Sequence, residues 1–166
     1  MRQGIVIFAA TAPPAGSAAA EALRASVAAA LAIEGVGVFL AYGDPGASQS
    51  LRKLVGGPPP RFFPQAARPS LGERMAQAFA FLFVQDYERV LLVQPGVSPI
   101  GAAELGALLG RLDEVPVEID TEQGATMVAL RRVDFPQIAP IFENVAWERP
   151  GAREAAQKIL AEESRA

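Results

Sequence analysis

Short apolar runs alternate with longer amphipathic segments along most of the chain. The runs at residues 5–9, 36–42 and 89–93 are continuous in apolar character and rich in β-branched and aliphatic side chains. Such runs predict strands that are buried on both faces, because a half-exposed strand would alternate apolar with polar residues. Further strands are predicted at residues 61–64, 115–119 and 126–131.

The segments between these runs have the spacing and the end signals of helices. Residues 17–33 are rich in Ala and carry an apolar line whose members lie four positions apart. Ser70 and Glu73 have the spacing of a capping box, in which each side chain bonds to the other residue's amide, and they predict a helix over residues 70–85. Further helices are predicted at residues 50–55 and 150–164. Another is predicted to begin after Ser98, which would be its N-cap, with Pro99 in the first helical position.

The order of these elements predicts an α/β fold. Strands that alternate with helices form a mainly parallel sheet with helices on both faces, so we expect a three-layer α/β/α sandwich around a mixed sheet. The chain has 166 residues, which is the size of one domain, and we interpret residues 1–166 as a single unit. Because ligands of such sheets bind at the carboxyl ends of the strands, the loops of interest are residues 10–17, 94–99 and 120–125.

The composition narrows the chemistry. The chain contains no Cys and no His, which excludes thiol nucleophiles, disulfides, Cys/His zinc sites and histidine bases. A metal would need oxygen ligands, which suit Mg²⁺ or Mn²⁺. The formal net charge is −3 and basic residues form no cluster, so a nucleic-acid partner is not expected.

The apolar runs are also too short to cross a membrane, since a span needs about 20 residues. The run near the N-terminus ends at Pro13 and Pro14, and it fits a first buried strand better than a signal peptide. We therefore expect no membrane partner and a cytoplasmic location.

Three segments in fixed order resemble one family. Residues 63–65 (Phe-Pro-Gln) and 70–75 (Ser-Leu-Gly-Glu-Arg-Met) are similar to its Pro-Gln … Leu-Gly-Glu-Arg-Met block. Residues 90–93, which lead to Ser98 and Pro99, stand where the family has a strand and then Gly-Ser-Asp-Cys-Pro; residues 122–128 stand where it has Asp-Gly-Gly-Tyr and a strand. The family is the glycosyltransferase-A-like set of radical-SAM/selenodomain-associated transferases, in the nucleotide-diphosphosugar transferase superfamily.

The resemblance implies that fold, but the positions that would hold metal and diphosphate differ. Residues 10–18 contain no cation where the family has Lys and Arg, and Val97 stands where an Asp would orient a divalent ion. Glu122, Gln123 and Ala125 replace the Asp, the first Gly and the Tyr of Asp-Gly-Gly-Tyr. Losing one electrostatic donor at such a centre costs on the order of 10²–10³ in rate, so this chain is expected to lack ordinary metal-dependent sugar transfer and a dedicated metal site.

Several residues of the matched segments are candidates for ligand binding. A capped helix start accounts for Ser70 and Glu73 no less fully than a contact to a base or ribose would. It does not account for the cation Arg74 in the same turn. For the loop after the third long strand, a Pro-Gly turn and a helix cap are an alternative explanation to contact with a ligand. The six candidates are Gln65, Gly72, Arg74, Gln94, Ser98 and Gly124.

Asp120 and Glu122 are the candidate catalytic residues. They lie near the end of a predicted strand and could act as acid, base or metal ligands, although a solvated hairpin would also explain them.

Three functions follow from these residues. The leading one is a diverged nucleotide-diphosphosugar transferase-like protein that needs no cofactor and retains a pocket for a nucleotide, a nucleotide-sugar or another small ligand. The second is an active glycosyltransferase or nucleotidyltransferase that uses Asp120 and Glu122, with Mg²⁺ or Mn²⁺. The third is a non-catalytic interaction module, in the form of a homodimer, whose signature would be an exposed apolar patch around Phe62, Phe63 or Trp147.

Overall fold

A computed structural model describes residues 1–122 and 124–165, with only the backbone of Glu122. Within these residues the strands are β1 (Gln3–Ala9), β2 (Val36–Tyr42), β3 (Arg61–Pro64), β4 (Arg89–Gln94), β5 (Val117–Glu122) and β6 (Ala125–Arg131). The helices are α1 (Ala18–Leu31), α2 (Ala47–Val55), α3 (Leu71–Val84), α4 (Ala102–Arg111), α5 (Phe135–Ile138), α6 (Pro140–Asn144) and α7 (Ala152–Glu163).

The strands form one mixed sheet in the order β3-β2-β1-β4-β6-β5. β1 pairs in parallel with β2 and β4, and β2 pairs in parallel with β3. β6 is antiparallel to both β4 and β5, so β5 runs in the same direction as β1 to β4. The carboxyl ends of five strands therefore lie at one edge of the sheet, and the strand order reverses between β1 and β4 at that edge.

Helices cover both faces of the sheet, which confirms the predicted three-layer α/β/α architecture. Alternate residues of each strand enter two separate cores. One core lies between the sheet and α1, α2 and α4, and its fully buried side chains include Ile5, Leu40, Leu51, Leu91 and Leu105. The other lies beneath α3, α5, α6 and α7, and its fully buried side chains include Phe8, Met75, Phe79, Leu92 and Phe142.

Helix α3 begins as the sequence predicts, but with only half of the capping box. Ser70 is the N-cap, and its Oγ accepts a hydrogen bond from the Glu73 amide at 3.1 Å. Among the described residues, the Ser70 amide donates no hydrogen bond in return to Glu73, whose Oε2 is buried without a hydrogen-bond partner. Of the predicted pair, only Ser70 therefore caps this end of α3.

Helix α4 begins later than predicted. Its N-cap is Gly101 rather than Ser98, and Pro99 lies outside the helix. The reason is a tertiary contact: Ile100 is buried, and its amide donates to the Oγ of Ser26 on α1 at 3.3 Å. This bond fixes Ile100 against α1, and the helix begins only after Gly101, whose backbone is extended.

Two of the three aromatic residues named for an apolar patch lie inside the protein. Phe63 and Trp147 are only 8% and 3% exposed, and Phe62 is half-buried. Phe63 stacks on Phe81 of α3 with ring centroids 4.5 Å apart, and Trp147 stacks on Phe142 of α6 at 5.7 Å. Both rings therefore serve the core beneath α3.

None of the helices in residues 1–122 and 124–165 combines the length and the apolar character that crossing a bilayer requires.

Candidate functional site

Two cavities open at the carboxyl edge of the sheet. The first, which we call the switch-point cavity, lies where the strand order reverses between β1 and β4 and has a volume of about 230 Å³. The second, the edge pocket, lies beyond the ends of β4, β5 and β6 and has a volume of about 550 Å³. Gln94, the last residue of β4, lines both of them.

The switch-point cavity is bounded by the loop between β1 and α1. Ala10 fixes this loop against the turn after β2, because its carbonyl oxygen accepts hydrogen bonds from the amides of Gly43 and Asp44, both at 3.0 Å. Ser17 then caps α1 through a bond from the Ala20 amide. None of the described residues that line this cavity is charged; they are Phe8, Ala9, Ala10, Thr11, Pro13, Ala19, Leu23, Gln94, Pro95 and Gly96.

This lining has a direct chemical consequence. A diphosphate needs fixed positive charge or a metal ion around its oxygens. The described side chains that line the switch-point cavity supply neither a positive charge nor a carboxylate to hold a metal ion. The cavity volume is also smaller than the roughly 300–1,000 Å³ that is typical of small-molecule pockets. Asp44, near its rim, accepts a bond from the Gly46 amide at 2.9 Å and stabilises its own turn.

Polar side chains form one wall of the edge pocket. The strand register aligns Gln94 of β4 with Thr126 of β6, and Thr126 with Thr121 of β5, so the three side chains lie on the same face of the sheet. All three line the edge pocket. The next row down on that face is wholly apolar and buried, and consists of Leu92, Val128 and Ile119.

The opposite wall of the edge pocket is formed by the segment that leads into α7. Trp147 packs beneath it, and the Glu148 Oε1 atom accepts a hydrogen bond from the Leu71 amide at 3.3 Å. Leu71 is the first residue of α3, so this carboxylate lies at the positive end of a 14-residue helix. Gly151, which has a φ of +86° that favours glycine, turns the chain into α7 beside the same pocket.

The charges that line the edge pocket are few. Among its described side chains, two are acidic, Glu148 and Glu154, and one is basic, Arg149. A single exposed cation opposed by two carboxylates does not favour a multiply charged anion.

Of the six predicted binding residues, two line the edge pocket. Gln94 does so through the polar row, and Gly124 does so from the turn between β5 and β6, where its φ is +81°. Ser98 lines neither the edge pocket nor the switch-point cavity, and it does not cap α4.

Gln65 and Gly72 lie inside the protein. Gln65 joins the ends of β2 and β3, since its Nε2 donates to the Ala41 carbonyl at 2.9 Å and its amide donates to the Tyr42 carbonyl at 2.7 Å. A Cβ atom at Gly72 would lie 1.7 Å from the Phe142 carbonyl oxygen, so the glycine lets α3 approach α6. Neither residue lines either cavity.

Arg74 lies on the same helix turn as Gly72 and is half-buried. Its Nε is buried without a hydrogen-bond partner among the described residues, and it lines neither cavity. The capped start of α3 does not account for this cation, and we have no physical explanation for it.

The two predicted catalytic residues do not meet in the described structure. Asp120 pairs with Met127, which enters the core beneath α1, α2 and α4, so Asp120 lies on the face opposite to Thr121 and the edge pocket. The side chain of Glu122 lies outside the described part of the chain. Among the side chains that are described, no group of three carboxylates is placed to share a metal ion.

Thr121, Thr126 and Glu148 are among the residues of the edge pocket that were not predicted from the sequence. Thr121 and Thr126 carried a signal, because they interrupt the apolar alternation on one face of β5 and β6 at the carboxyl edge. Glu148 carried none, since 77 residues separate it from the amide that it caps.

The chain matches no protein-family model and no curated protein. It is similar in structure to a crystal structure described as that of a "putative nucleotide-diphospho-sugar transferase" from Desulfovibrio desulfuricans G20, with a TM-score of 0.79 and 16% sequence identity over 99% of this chain and 78% of that one. The mixed six-stranded sheet with helices on both faces is therefore a nucleotide-diphospho-sugar transferase-like fold.

Proposed function

We propose that this chain is a diverged nucleotide-diphosphosugar transferase-like protein, a single-domain cytoplasmic member of the radical-SAM/selenodomain-associated group. In this proposal it lacks ordinary metal-dependent sugar transfer and keeps a small-ligand pocket at the carboxyl edge of its sheet. The edge pocket is the site of that ligand.

The observation that carries the proposal is the charge of the two cavities. The switch-point cavity, where a doubly wound sheet presents its ligand, has no charged side chain in its described lining. Val97 stands where the resemblance implies a metal-orienting Asp, and its side chain is an exposed aliphatic group that cannot bind a divalent ion. A departing diphosphate would therefore develop its charge beside apolar groups, which do not stabilise it.

The edge pocket supports the other half of the proposal. Its volume of about 550 Å³ is in the range of small-molecule pockets, and its walls combine a buried aromatic residue with hydroxyl and amide groups. This combination is suited to binding a small polar molecule and does not require a metal.

A titration of the purified protein with UDP-glucose, with and without Mn²⁺, tests the proposal. We expect Mn²⁺ not to increase the binding of UDP-glucose, and we expect no transfer or hydrolysis. A matched titration in NaCl of the same ionic strength controls for general ionic effects. Metal-dependent tight binding, or release of UDP, would reject the proposal.

A second candidate is an active transferase that uses Asp120 and Glu122. It is supported by the position of Glu122, which ends β5 between Thr121 and Gly124, two residues that line the edge pocket. This candidate predicts that Glu122→Ala abolishes a transfer reaction without lowering the free energy of unfolding, whereas Glu118→Ala, farther back on β5, does not affect transfer.

A further inference from the structure

The chemistry of the edge pocket points to a particular class of ligand. We infer that the pocket binds an uncharged, hydroxyl-bearing molecule, such as a free sugar or a sugar alcohol, and that the Glu148 carboxylate disfavours the binding of anions there. This inference rests on the small-ligand pocket of the proposed function and specifies what that pocket binds.

The first step is the position of the polar row. Gln94, Thr126 and Thr121 stand side by side on three strands, directly above a row of apolar residues in the core. Packing alone would favour another apolar row, because the same face is apolar at every deeper level of β4 and β6. The change from apolar to polar side chains coincides with the mouth of the edge pocket.

The second step is the state of the Thr126 hydroxyl. Thr126 is 8% exposed and lines the edge pocket, so its side chain lies where the buried face of β6 meets the pocket. Polar groups that are this deeply buried normally have a partner. A hydroxyl-bearing ligand would supply such a partner to Thr126, and also to the Trp147 Nε1 in the same pocket, which is buried without a partner among the described residues.

The third step is the hydrogen-bonding capacity of the row. A threonine hydroxyl and a glutamine side chain each donate and accept. Ligand hydroxyls do the same, so they satisfy both functions of the row, whereas a phosphate oxygen at neutral pH mainly accepts. The row thus matches a polyhydroxyl compound better than a phosphate group.

The fourth step is the role of Glu148. The amino end of α3 is the natural place for an anion beside this pocket, because its free amides and its dipole both favour negative charge. The Glu148 carboxylate already occupies it through the bond to the Leu71 amide. Together with Glu154, it gives the pocket two acidic side chains against the single cation Arg149. An anionic ligand would therefore be repelled by a carboxylate that the chain itself provides.

The fluorescence of Trp147 offers a direct readout. It is the only Trp in the chain and it lines the edge pocket, so a ligand there changes the signal of one known residue. The full chain is titrated with glucose and mannitol as uncharged probes, and with pyrophosphate and UDP as anionic probes. We expect at least one uncharged probe to saturate the signal, and the anionic probes to leave it unchanged.

Two pairs of variants locate the effect. Thr126→Val keeps the shape of the side chain and removes the hydroxyl, and it should weaken binding of the uncharged probe about fivefold, the value of one hydrogen bond. Its matched control, Thr11→Val, makes the same change in the switch-point cavity and should leave binding unchanged. The unfolding midpoint of each variant shows that the fold is retained.

Glu148→Gln keeps an oxygen for the Leu71 amide and removes the charge. It should raise the affinity for pyrophosphate about threefold or more, because one like charge is removed, while Glu143→Gln on the exposed face of α6 should not. Tighter binding of pyrophosphate or UDP than of the sugars by the unaltered chain would overturn this inference but leave the small-ligand pocket standing. If none of the probes changed the Trp147 signal, both this inference and that pocket would be rejected. Metal-dependent sugar transfer would reject only the proposed loss of activity.

Discussion

The switch-point cavity and the edge pocket share one sheet edge and one residue, Gln94, but they offer opposite chemistry. The first is small and uncharged, with an apolar loop on one side. The second is more than twice as large and combines a polar row with two carboxylates. Strand topology therefore determines where a cleft forms, whereas the side chains at the strand ends determine which ligands it can bind.

Of the substitutions that should affect one cavity and not the other, Gly72→Ala is expected to have the largest effect. Gly72→Ala places a methyl group 1.7 Å from the Phe142 carbonyl oxygen and 2.9 Å from Trp147 Cδ1, so α3 must move away from α6. Overpacking against backbone costs about 3 kcal/mol. We expect the free energy of unfolding in urea to fall by about that amount, and the edge pocket to lose its ligand while the switch-point cavity is unchanged.

Gly106→Ala is the matched control for this substitution. Gly106 lies inside α4, and a Cβ atom there would meet nothing within 4 Å. Since Ala is a better helix former than Gly by about 1 kcal/mol, this variant should be slightly more stable than the original chain. Equal stability of the two variants would contradict the close packing that we assign to Gly72.

Two serine caps allow a smaller and more selective comparison. Ser70 caps α3 beside the edge pocket, and Ser17 caps α1 beside the switch-point cavity. Replacing either with Ala should lower the free energy of unfolding by about 1 kcal/mol, the usual value of an N-cap. Only Ser70→Ala should also weaken ligand binding measured by Trp147 fluorescence, because only α3 carries the amide that Glu148 binds. Equal loss of binding in both variants would mean that the effect is a general loss of stability.

The smallest effect is expected from a restored charge. Thr11→Lys adds one cation to the loop of the switch-point cavity, which has none. Thr11 is exposed, so solvent screens the charge, and the affinity for pyrophosphate should rise only about two- to threefold. Isothermal titration calorimetry measures this change, and Thr11→Gln controls for the longer side chain. An equal gain in pyrophosphate affinity with Gln and with Lys would show that the added charge is not its cause.

Much of the fold could be predicted from the sequence, because the pattern that encodes it is local. The strand over residues 36–42 has the predicted bounds, and the helix over residues 70–85 differs from α3 by one residue at each end. The prediction failed where a distant contact decides the structure. Ser98 looks like an N-cap in isolation, but the bond from Ile100 to Ser26 delays the helix.

The candidate site could be predicted less well, for the same physical reason. The motif residues Gln65 and Gly72 support the fold from the inside, where a backbone carbonyl and a close helix contact explain them. The residues that line the edge pocket come from β4, from the hairpin of β5 and β6, and from the segment before α7. Only folding brings them together, so no local pattern could identify Glu148 as a residue of the pocket.

The central claim is that the carboxyl edge of this sheet has too little fixed charge to hold a metal-bound diphosphate. The most direct test is an anomalous difference map from crystals soaked with Mn²⁺ and UDP-glucose. We expect no manganese peak bound by protein oxygens at this edge. A peak coordinated by carboxylates there, bridging to the diphosphate of UDP-glucose, would contradict it.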